Sequence, residues 1–467
     1  MTIFEKLREL GYDTVSPSFY EKAEEWKSWY TGDVKGFSWY RVRTGKETTR
    51  CKRYSLQMAK KLSEDWANLL MNEKVKITLE GEKEQRFVDG VFSENNFWVK
   101  ANELQEFKTA LGTVAYIPRV VGQREGDAAE KIMLDYVTVE HIWPLSWANG
   151  IVVECAFDSV IVAGGKEYLY LQVHTKDKAG NYVIQNKIYL YQDGQLSDVR
   201  LSDVPGFENM PNAVETYSDK RQFVIDRLNI ANNFDISNPL GVSVYANAID
   251  VLRGVDVAYD SYVNEFILGK KRIMVKPQAT NYLDGEPMFD SSDTVFYLLP
   301  EDAVGDSVIT QVDMSLRTQE HKTGIQDQLN FLSSKCGLGE NHYRFDNGSV
   351  ATATEVISQN SSMFRTIKKH EIILESVLIE LCRIILRLGN QAMGAGLDED
   401  VEISVDFDDS VIEDENANFA RDMQLLNAGI LNDWEFRAKW LNEDEATAKK
   451  MLPGMENLAN ERQDEIE

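Results

Sequence analysis

The stretch AIDVLRGVDVAYDSYVNEFILGKKRI, residues 248–273, decides the fold. Val251, Leu252, Val255, Ala258, Tyr262, Val263 and Phe266 recur at helical spacing on one side, and Val244 and Ala248 extend the stripe upstream. The spacing predicts one long helix over residues 242–268, closed by Gly269. Lys270, Lys271 and Arg272 then open a segment, 269–313, whose turns at Pro277, Asp284-Gly285 and Pro287 and apolar run at 294–299 predict a small β-containing lobe. A chain that leaves on a helix and enters such a lobe has to return. Residues 314–336, with Leu316, Ile325, Leu329 and Leu332 apolar, supply the returning helix.

GLGENHYRFDNGSV, residues 337–350, is too rich in Gly and Asn to stay helical and reads as a loop. Thr352 and Glu355 have the spacing of a capping box. Behind them an apolar stripe runs through Val356, Met363, Ile367, Leu374, Val377, Leu378, Leu381, Ile384, Ile385 and Leu388, which predicts a long helix within 351–395. About 37 helical residues span about 55 Å at ~1.5 Å each, so the helix needs several partners, as a radial assembly would supply. The region before the first long helix, 1–241, reads as mixed α and β. Helices are expected over 17–30 and, from Ser55 as N-cap, to about Asn72, with strands at 75–79, 113–117, 151–157, 159–163, 168–174 and 182–191. After Gly394 and Gly396 come a strand-like VEISVDF (401–407) and an acidic helical segment, 416–452.

Composition bounds the function. At 467 residues the chain exceeds one core, and 43% apolar with 10% aromatic residues excludes a disordered one. No apolar run nears the roughly 20 residues of a membrane span, and MTIFEKLREL lacks a signal core, so a cytoplasmic or particle-assembled protein is expected. Cys51, Cys155, Cys336 and Cys382 form no CxxC pair and read as buried free thiols. Of the net charge of −26, the tail from Asp398 onward holds −15, with 21 acidic and 6 basic residues. That balance disfavours tight static DNA binding but suits a surface along which DNA slides.

The chemistry of an enzyme finds no home. Gly45-Lys46 and Gly165-Lys166 lack the rest of a phosphate-binding loop, there is no GxSxG elbow, and His370-Glu371 has Leu374 where a second zinc-binding His would stand. Asp406 and Asp408, with Asp409, are the best candidates for a nuclease metal, and a solvated acidic edge explains them better. Cys336 near His342 reads as structural rather than nucleophilic. No catalytic residue, metal site or cofactor is expected.

Three blocks carry a resemblance. Residues 248–273, ATATEVISQNSSMFRTIKKHE (351–371) and SLQMAKKLSEDWANLLMNEKV (55–75) resemble, in the right order along the chain, blocks of portal proteins of long-tailed, siphovirus-type phages and prophages of Gram-positive bacteria. The resemblance implies an α+β portal fold: wing 1–241, stem helix 242–268, clip 269–313, returning stem helix 314–336, tunnel loop 337–350, long kinked wing helix 351–395, and acidic crown and tail 396–467. It implies a virion ring of 12 subunits at one capsid vertex that passes double-stranded DNA. It also implies docking to the terminase large subunit, a head-completion or adaptor protein, and the major capsid and scaffold proteins, with no membrane partner. On that reading Asn341, His342, Tyr343 and Arg344 of the loop touch DNA phosphates. Lys270, Lys271, Arg272 and Lys276 face seven clip carboxylates (Asp284, Glu286, Asp290, Asp293, Glu301, Asp302, Asp306) for docking by complementary charge, or are plain solvated surface. Lys368, Lys369 and His370 face either the channel or a neighbouring subunit. The rival readings are another phage head protein, such as a minor capsid or head-completion component, and a metal-dependent nuclease.

Overall fold

The computed structural model describes residues 3–44, 47–72, 75–122, 130–269, 272–275, 282–283, 286–287, 296–298, 309–312, 315–345, 353–407, 415–441, 443 and 445–451. Its helices are α1 (Ile3–Glu9), α2 (Pro17–Thr31), α3 (Met58–Leu70), α4 (Glu82–Glu94), α5 (Phe97–Leu111), α6 (Ile249–Leu268), α7 (Thr318–Lys335), α8 (Ala353–Met393), α9 (Glu415–Asn427), α10 (Asp433–Leu441) and α11 (Glu445–Lys450). Helices and antiparallel sheets together make an α+β chain.

Two sheets organise the first half. One runs Gln195–Val199, Tyr182–Gln192, Lys166–Lys176, Ile151–Ala163, Ile142–Ala148, with Ala213–Glu215 added beside Tyr182–Gln192. Ile151–Ala163 is one strand of 13 residues, where the sequence pattern suggests a break near Asp158. Asp158 stays in the sheet because its buried carboxylate accepts Trp143 Nε1–H at 2.5 Å and meets His141 Nδ1 at 3.0 Å. The second sheet orders Val224–Arg227, Thr113–Val121, Lys131–Thr138, and both α5 and α8 pack on it. α4 and α5 lie where the sequence pattern shows no helix.

Inside this layer an ion pair is sealed from water. Lys108 Nζ of α5 lies 3.1 and 3.2 Å from the two carboxylate oxygens of Asp226 on the Val224–Arg227 strand, and their side chains are 1% and 0% exposed. Gln105 Nε2–H donates to the same carboxylate at 2.7 Å. Burial pushes the Lys108 pKa down while Asp226 pulls it back.

The N-terminal layer leads into the next long helix at a crossing of two backbones. Gly112, at φ 89°, ends α5, and a Cβ on it would lie 2.5 Å from the Val242 carbonyl carbon. One on Gly241 would lie 2.5 Å from Gly112 O. Residues 241–244 therefore bond to α5 instead of starting a helix: Gly241 N–H reaches Thr113 Oγ1 at 2.7 Å and Val244 N–H reaches Thr109 O at 2.9 Å. The stem helix consequently begins at Ile249, later than its apolar stripe suggests.

α6 and α7 then pack against each other through Leu252, Val255, Ile325, Leu329 and Leu332. They approach closely at Gly254, where a Cβ would meet Gln328 Oε1 at 2.5 Å. At the far end the Arg317 guanidinium grips Glu265 with two bonds, 3.0 and 2.8 Å. This fork and the Arg317 backbone N–H hold the Glu265 carboxyl down to about 2. On its other face α6 carries Asp256 and Asp260, which accept Leu56 N–H at 3.1 Å and Tyr54 N–H at 3.0 Å. Ser55, expected to cap α3, instead donates its hydroxyl to Asp256 at 2.8 Å, and Gln57 takes the cap position. Beyond the stem, Arg272–Val275 pairs with Phe296–Leu298 and Ile309–Val312 in a small sheet.

α8 spans 41 residues, about 60 Å at ~1.5 Å each. Several of the partners its length calls for lie within the one chain. From Met363 to Leu388 its stripe is buried within the one chain, against the second sheet, α3, α4 and the Ile403–Asp406 strand, and Leu381, Cys382, Ile384, Ile385 and Leu386 are covered on nearly every side. Ile403–Asp406 pairs antiparallel with Lys76–Leu79, so the chain after α8 closes back onto the N-terminal layer. The acidic end forms three short helices, and the spacings of Asn432 with Glu435 and of Asn442 with Glu445 mark the starts of the last two, with Glu435 accepting Asn432 N–H at 2.8 Å before α10.

Removing one member of the sealed pair strands the other. Lys108→Met should lower wing stability by about 3–5 kcal/mol in urea unfolding, and Lys108→Met with Asp226→Leu should recover most of it. A single variant as stable as the parent would show that water reaches the pair.

Candidate functional site

The loop is built from the end of α7 outward. Trp66 Nε1–H of α3 donates to Cys336 O at 3.1 Å and fastens that end. Gly337 and Gly339, both at φ 81°, and Asn341, at φ 60°, reverse the chain. Gly337 is also a close approach, since a Cβ there would lie 2.8 Å from Thr366 Cγ2 of α8. The loop then runs back beside α7, where one glutamine holds two backbone groups. Gln326 Nε2–H donates to Tyr343 O at 2.8 Å, and Gln326 Oε1 accepts Phe345 N–H at 2.7 Å. Phe345 packs edge-on against Tyr262 of α6, with ring centroids 5.7 Å apart.

The four loop residues separate into different roles. Tyr343 turns inward: its hydroxyl donates to Asp65 Oδ2 of α3 at 2.7 Å, and burial, with Asp65 adding to it, raises its pKa. His342 stacks edge-on to Tyr343 at 4.8 Å, with Nε2 4.0 Å from Asp65 Oδ2. Burial lowers its pKa, Asp65 opposes, and Lys61, itself 2.6 Å from Asp65, lowers it further. The imidazole is therefore held neutral rather than offered as a cation. Asn341 is half-buried and occupied by its left-handed turn. Arg344 is exposed and has no acidic partner among the described residues. Of these four residues Arg344 alone presents a free charge, and Glu340 of the same loop is exposed as well. Residues 346–350 lie outside the described set.

Asp65, Lys61 and Gln326 are the clamp that sequence reasoning missed. Asp65 and Tyr343 stand 278 positions apart, and nothing local in either segment announces the bond. Of the docking cations, Lys270, Lys271 and Lys276 lie outside the described residues, and Arg272 is described only as the first residue of its strand.

His370 is not available to a channel or a neighbour. It is 2% exposed, its Nδ1 accepts Asn229 N–H at 3.1 Å, and it stands edge-on to Trp66. Burial, then Lys108 and Lys369, push it down to about 3. Lys368 bonds Glu371 at 3.0 Å, and Lys369 is exposed. Cys336 is buried and its thiol is pushed up to about 12, the reverse of a nucleophile. Asp406 lies opposite Lys76 in its strand pair, while Asp408 and Asp409 fall outside the described residues. Among the described residues no three His, Cys, Asp or Glu group to hold a metal. No described helix is long and apolar enough to cross a membrane.

The described residues thus combine a β-rich N-terminal layer, two paired helices with a small sheet between them in the chain, a reversed loop and a 41-residue helix. The chain belongs to the phage portal protein family, SPP1 Gp6-like, matched over residues 12–465, a family of structural proteins of the phage particle. Among solved structures it is similar to the neck of a native GTA particle computed with C12 symmetry, at 11% identity and TM-score 0.40, covering 81% of this chain and 88% of that one. It is also similar to the neck of an empty GTA particle computed with C6 symmetry, at 12% identity and TM-score 0.42, covering 82% and 89%. No curated protein matches it.

Two measurements test this geometry. Tyr343→Phe and Gln326→Leu each remove about 1 kcal/mol of restraint and should speed amide exchange in residues 338–345 about fivefold, leaving α8 unchanged. Loop exchange equal to the parent's would show that the clamp is open in solution. The second concerns His174 and His370, both buried and both pushed down to about 3. The unfolded chain takes these protons first, so stability holds above pH ~6.5 and falls as pH drops toward 3, by about 1.4 kcal/mol per pH unit for each histidine. His174→Phe, which removes two unbonded ring nitrogens between Phe157 and Phe223, should make the slope between pH 6.5 and 5 in thermal melts shallower.

Proposed function

We propose that this chain assembles into a channelled ring at one vertex of a phage head, through which double-stranded DNA is packaged and later ejected. The observation that carries the reading is the stem. In a chain of the portal family, α6 and α7 pair tightly yet leave Val257, Phe266, Leu316 and Phe331 exposed, up to 61% at Phe331, on a protein with a well-filled core elsewhere. Large apolar side chains left in water along a helix pair mark a surface that meets another protein. Copies of the same stem packed side by side around an axis would cover them.

In this reading residues 1–241 form the wing, 242–268 and 314–336 the stem, 269–313 the clip, 337–350 the tunnel loop, 351–395 the long wing helix and 396–467 the crown and tail. The ring holds 12 subunits, in a siphovirus-type particle of a Gram-positive host assembled in its cytoplasm. It docks the terminase large subunit during filling and a head-completion protein afterwards, within a shell of capsid and scaffold proteins. Lys270, Lys271, Arg272 and Lys276 serve the docking face. Translocation energy comes from the motor's ATP, in keeping with a chain that has no phosphate-binding loop.

The loop reading is narrowed. Arg344 is the phosphate contact, transient because a single guanidinium on a reversing backbone grips weakly. Asn341, His342 and Tyr343 shape and anchor the loop that presents it.

Electron microscopy of the purified chain should show rings with a hole wide enough for duplex DNA, and compact monomers at high concentration in assembly-like salt would sink the proposal. In a head-filling assay Arg344→Glu should lower the yield of DNA-filled heads severalfold with rings intact, and Arg344→Lys should retain most of it. Equal yields would remove Arg344 from the DNA path.

A further inference from the structure

One surface runs against the acidity of the whole molecule. The hairpin Trp39–Thr44 and Glu47–Lys52 pairs Trp39 with Lys52, Arg41 with Arg50 and Arg43 with Thr48. Cross-strand partners share a face, so Trp39, Arg41, Arg43, Arg50 and Lys52 line one side of a two-stranded ribbon. Residues 39–53 hold six basic residues and one acidic, in a chain of net charge −26. Arg41, Arg43, Arg50 and Lys52 are exposed, and none has an acidic partner among the described residues. Arg41 and Arg50 stand directly opposite each other, a like-charge pairing that disfavours the hairpin until counter-charges arrive. The Arg50 guanidinium lies over the Trp39 ring at 4.3 Å, which orients its N–H edge for a bidentate acceptor.

Carboxylate and phosphate both fit that edge, and the surroundings choose between them. Trp39, on the same face of the hairpin, is 39% exposed. The hairpin's base borders a cleft of about 620 Å³ that it shares with Asn264 and Ile267 near the end of α6, and Ile267 is 43% exposed. A phosphate backbone would leave such apolar side chains in water, whereas a protein surface covers them.

We infer that the basic face of the 39–52 hairpin docks on a carboxylate-bearing surface of the adjacent copy of this chain, with the end of α6 at the margin of that interface near Lys52. The inference rests on the ring reading above and gives that ring a second contact besides the stem. Acidic surface is abundant on every copy, so the ribbon finds its complement without a foreign partner.

The test uses the full chain. Rings assembled from an equal mixture of ¹⁴N and ¹⁵N protein are treated with a carbodiimide, which joins lysine to carboxylate with no spacer, and the Lys52 peptide should be linked to an acidic peptide of the opposite label. Linkage of Lys52 solely within its own chain overturns the inference. In parallel, Arg41→Glu/Arg43→Glu/Arg50→Glu should lower the ring fraction in native mass spectrometry at least roughly tenfold at ~0.15 M salt, with circular dichroism and melting unchanged. The corresponding lysine variant should keep its rings. If the glutamate variant forms rings with the parent's salt dependence, the inference fails while the ring reading stands. If it forms those rings and loses retention of duplex DNA, nucleic acid occupies the face instead. A parent chain that forms no assembly overturns both readings.

Discussion

The Lys108–Asp226 pair is the constraint on which the wing is hung. It ties α5 to the Val224–Arg227 strand, the edge of the sheet over which α8 passes, and Lys108 is close enough to help keep His370 neutral. A buried charge pair adds little net stability over a well-packed apolar one, but it severely penalises any arrangement that separates its members. Its contribution is therefore register. α5, the strand and α8 can stack in only one relation, and the chain enters the stem from that relation.

The entry follows from it. With α5 fixed, its last turn presents Gly112 to Gly241, and two backbones cross where any side chain would collide. Residues 241–244 are committed to bonds with Thr109 and Thr113, so α6 starts at a set place and angle. Asp256 and Asp260 then secure its first half to residues 54–56, just before α3. α3 in turn holds Cys336 through Trp66 and Tyr343 through Asp65. The loop is thus referred, through two side chains of one helix, to the same packed layer that aims the stem. A loop positioned this way presents Arg344 from a rigid base, which suits repeated brief contacts better than a floppy tether does.

What the sequence disclosed follows from the physics of each element. α6, α7 and α8 each bury a continuous apolar stripe, and such a stripe shows in the sequence at spacings of three and four. α5 left none, because it buries Gln105, Lys108 and Thr109 along with Phe97, Ala101 and Leu104. Its polar core residues erase the periodicity that would have marked it. The late start of α6 was hidden for the opposite reason: Val242 and Val244 are apolar and buried, but against α5 rather than along the stem. The loop's position was visible in its glycines, whereas its clamp depends on Asp65 and Gln326, distant in sequence and ordinary in context. The basic hairpin escaped because the chain's charge was weighed over long segments, and a strongly acidic total conceals a ribbon of five or six cations.

The self-sufficiency of α8 changes where contacts between copies should be sought. A helix about 60 Å long suggests a neighbour, yet from Met363 to Leu388 its own chain covers its apolar stripe, leaving Ile372 64% exposed. In the ring reading that leaves the long helix as an internal strut that keeps the wing rigid, and moves the cohesion of the ring to surfaces the single chain leaves unfinished. Those are the exposed apolar side chains of α6 and α7 and the unpaired cations of the hairpin beside them. Apolar stem contacts are indifferent to salt, while the hairpin contact weakens with it, so a ring held by both keeps its stem closed and loosens first at the hairpin as ionic strength rises.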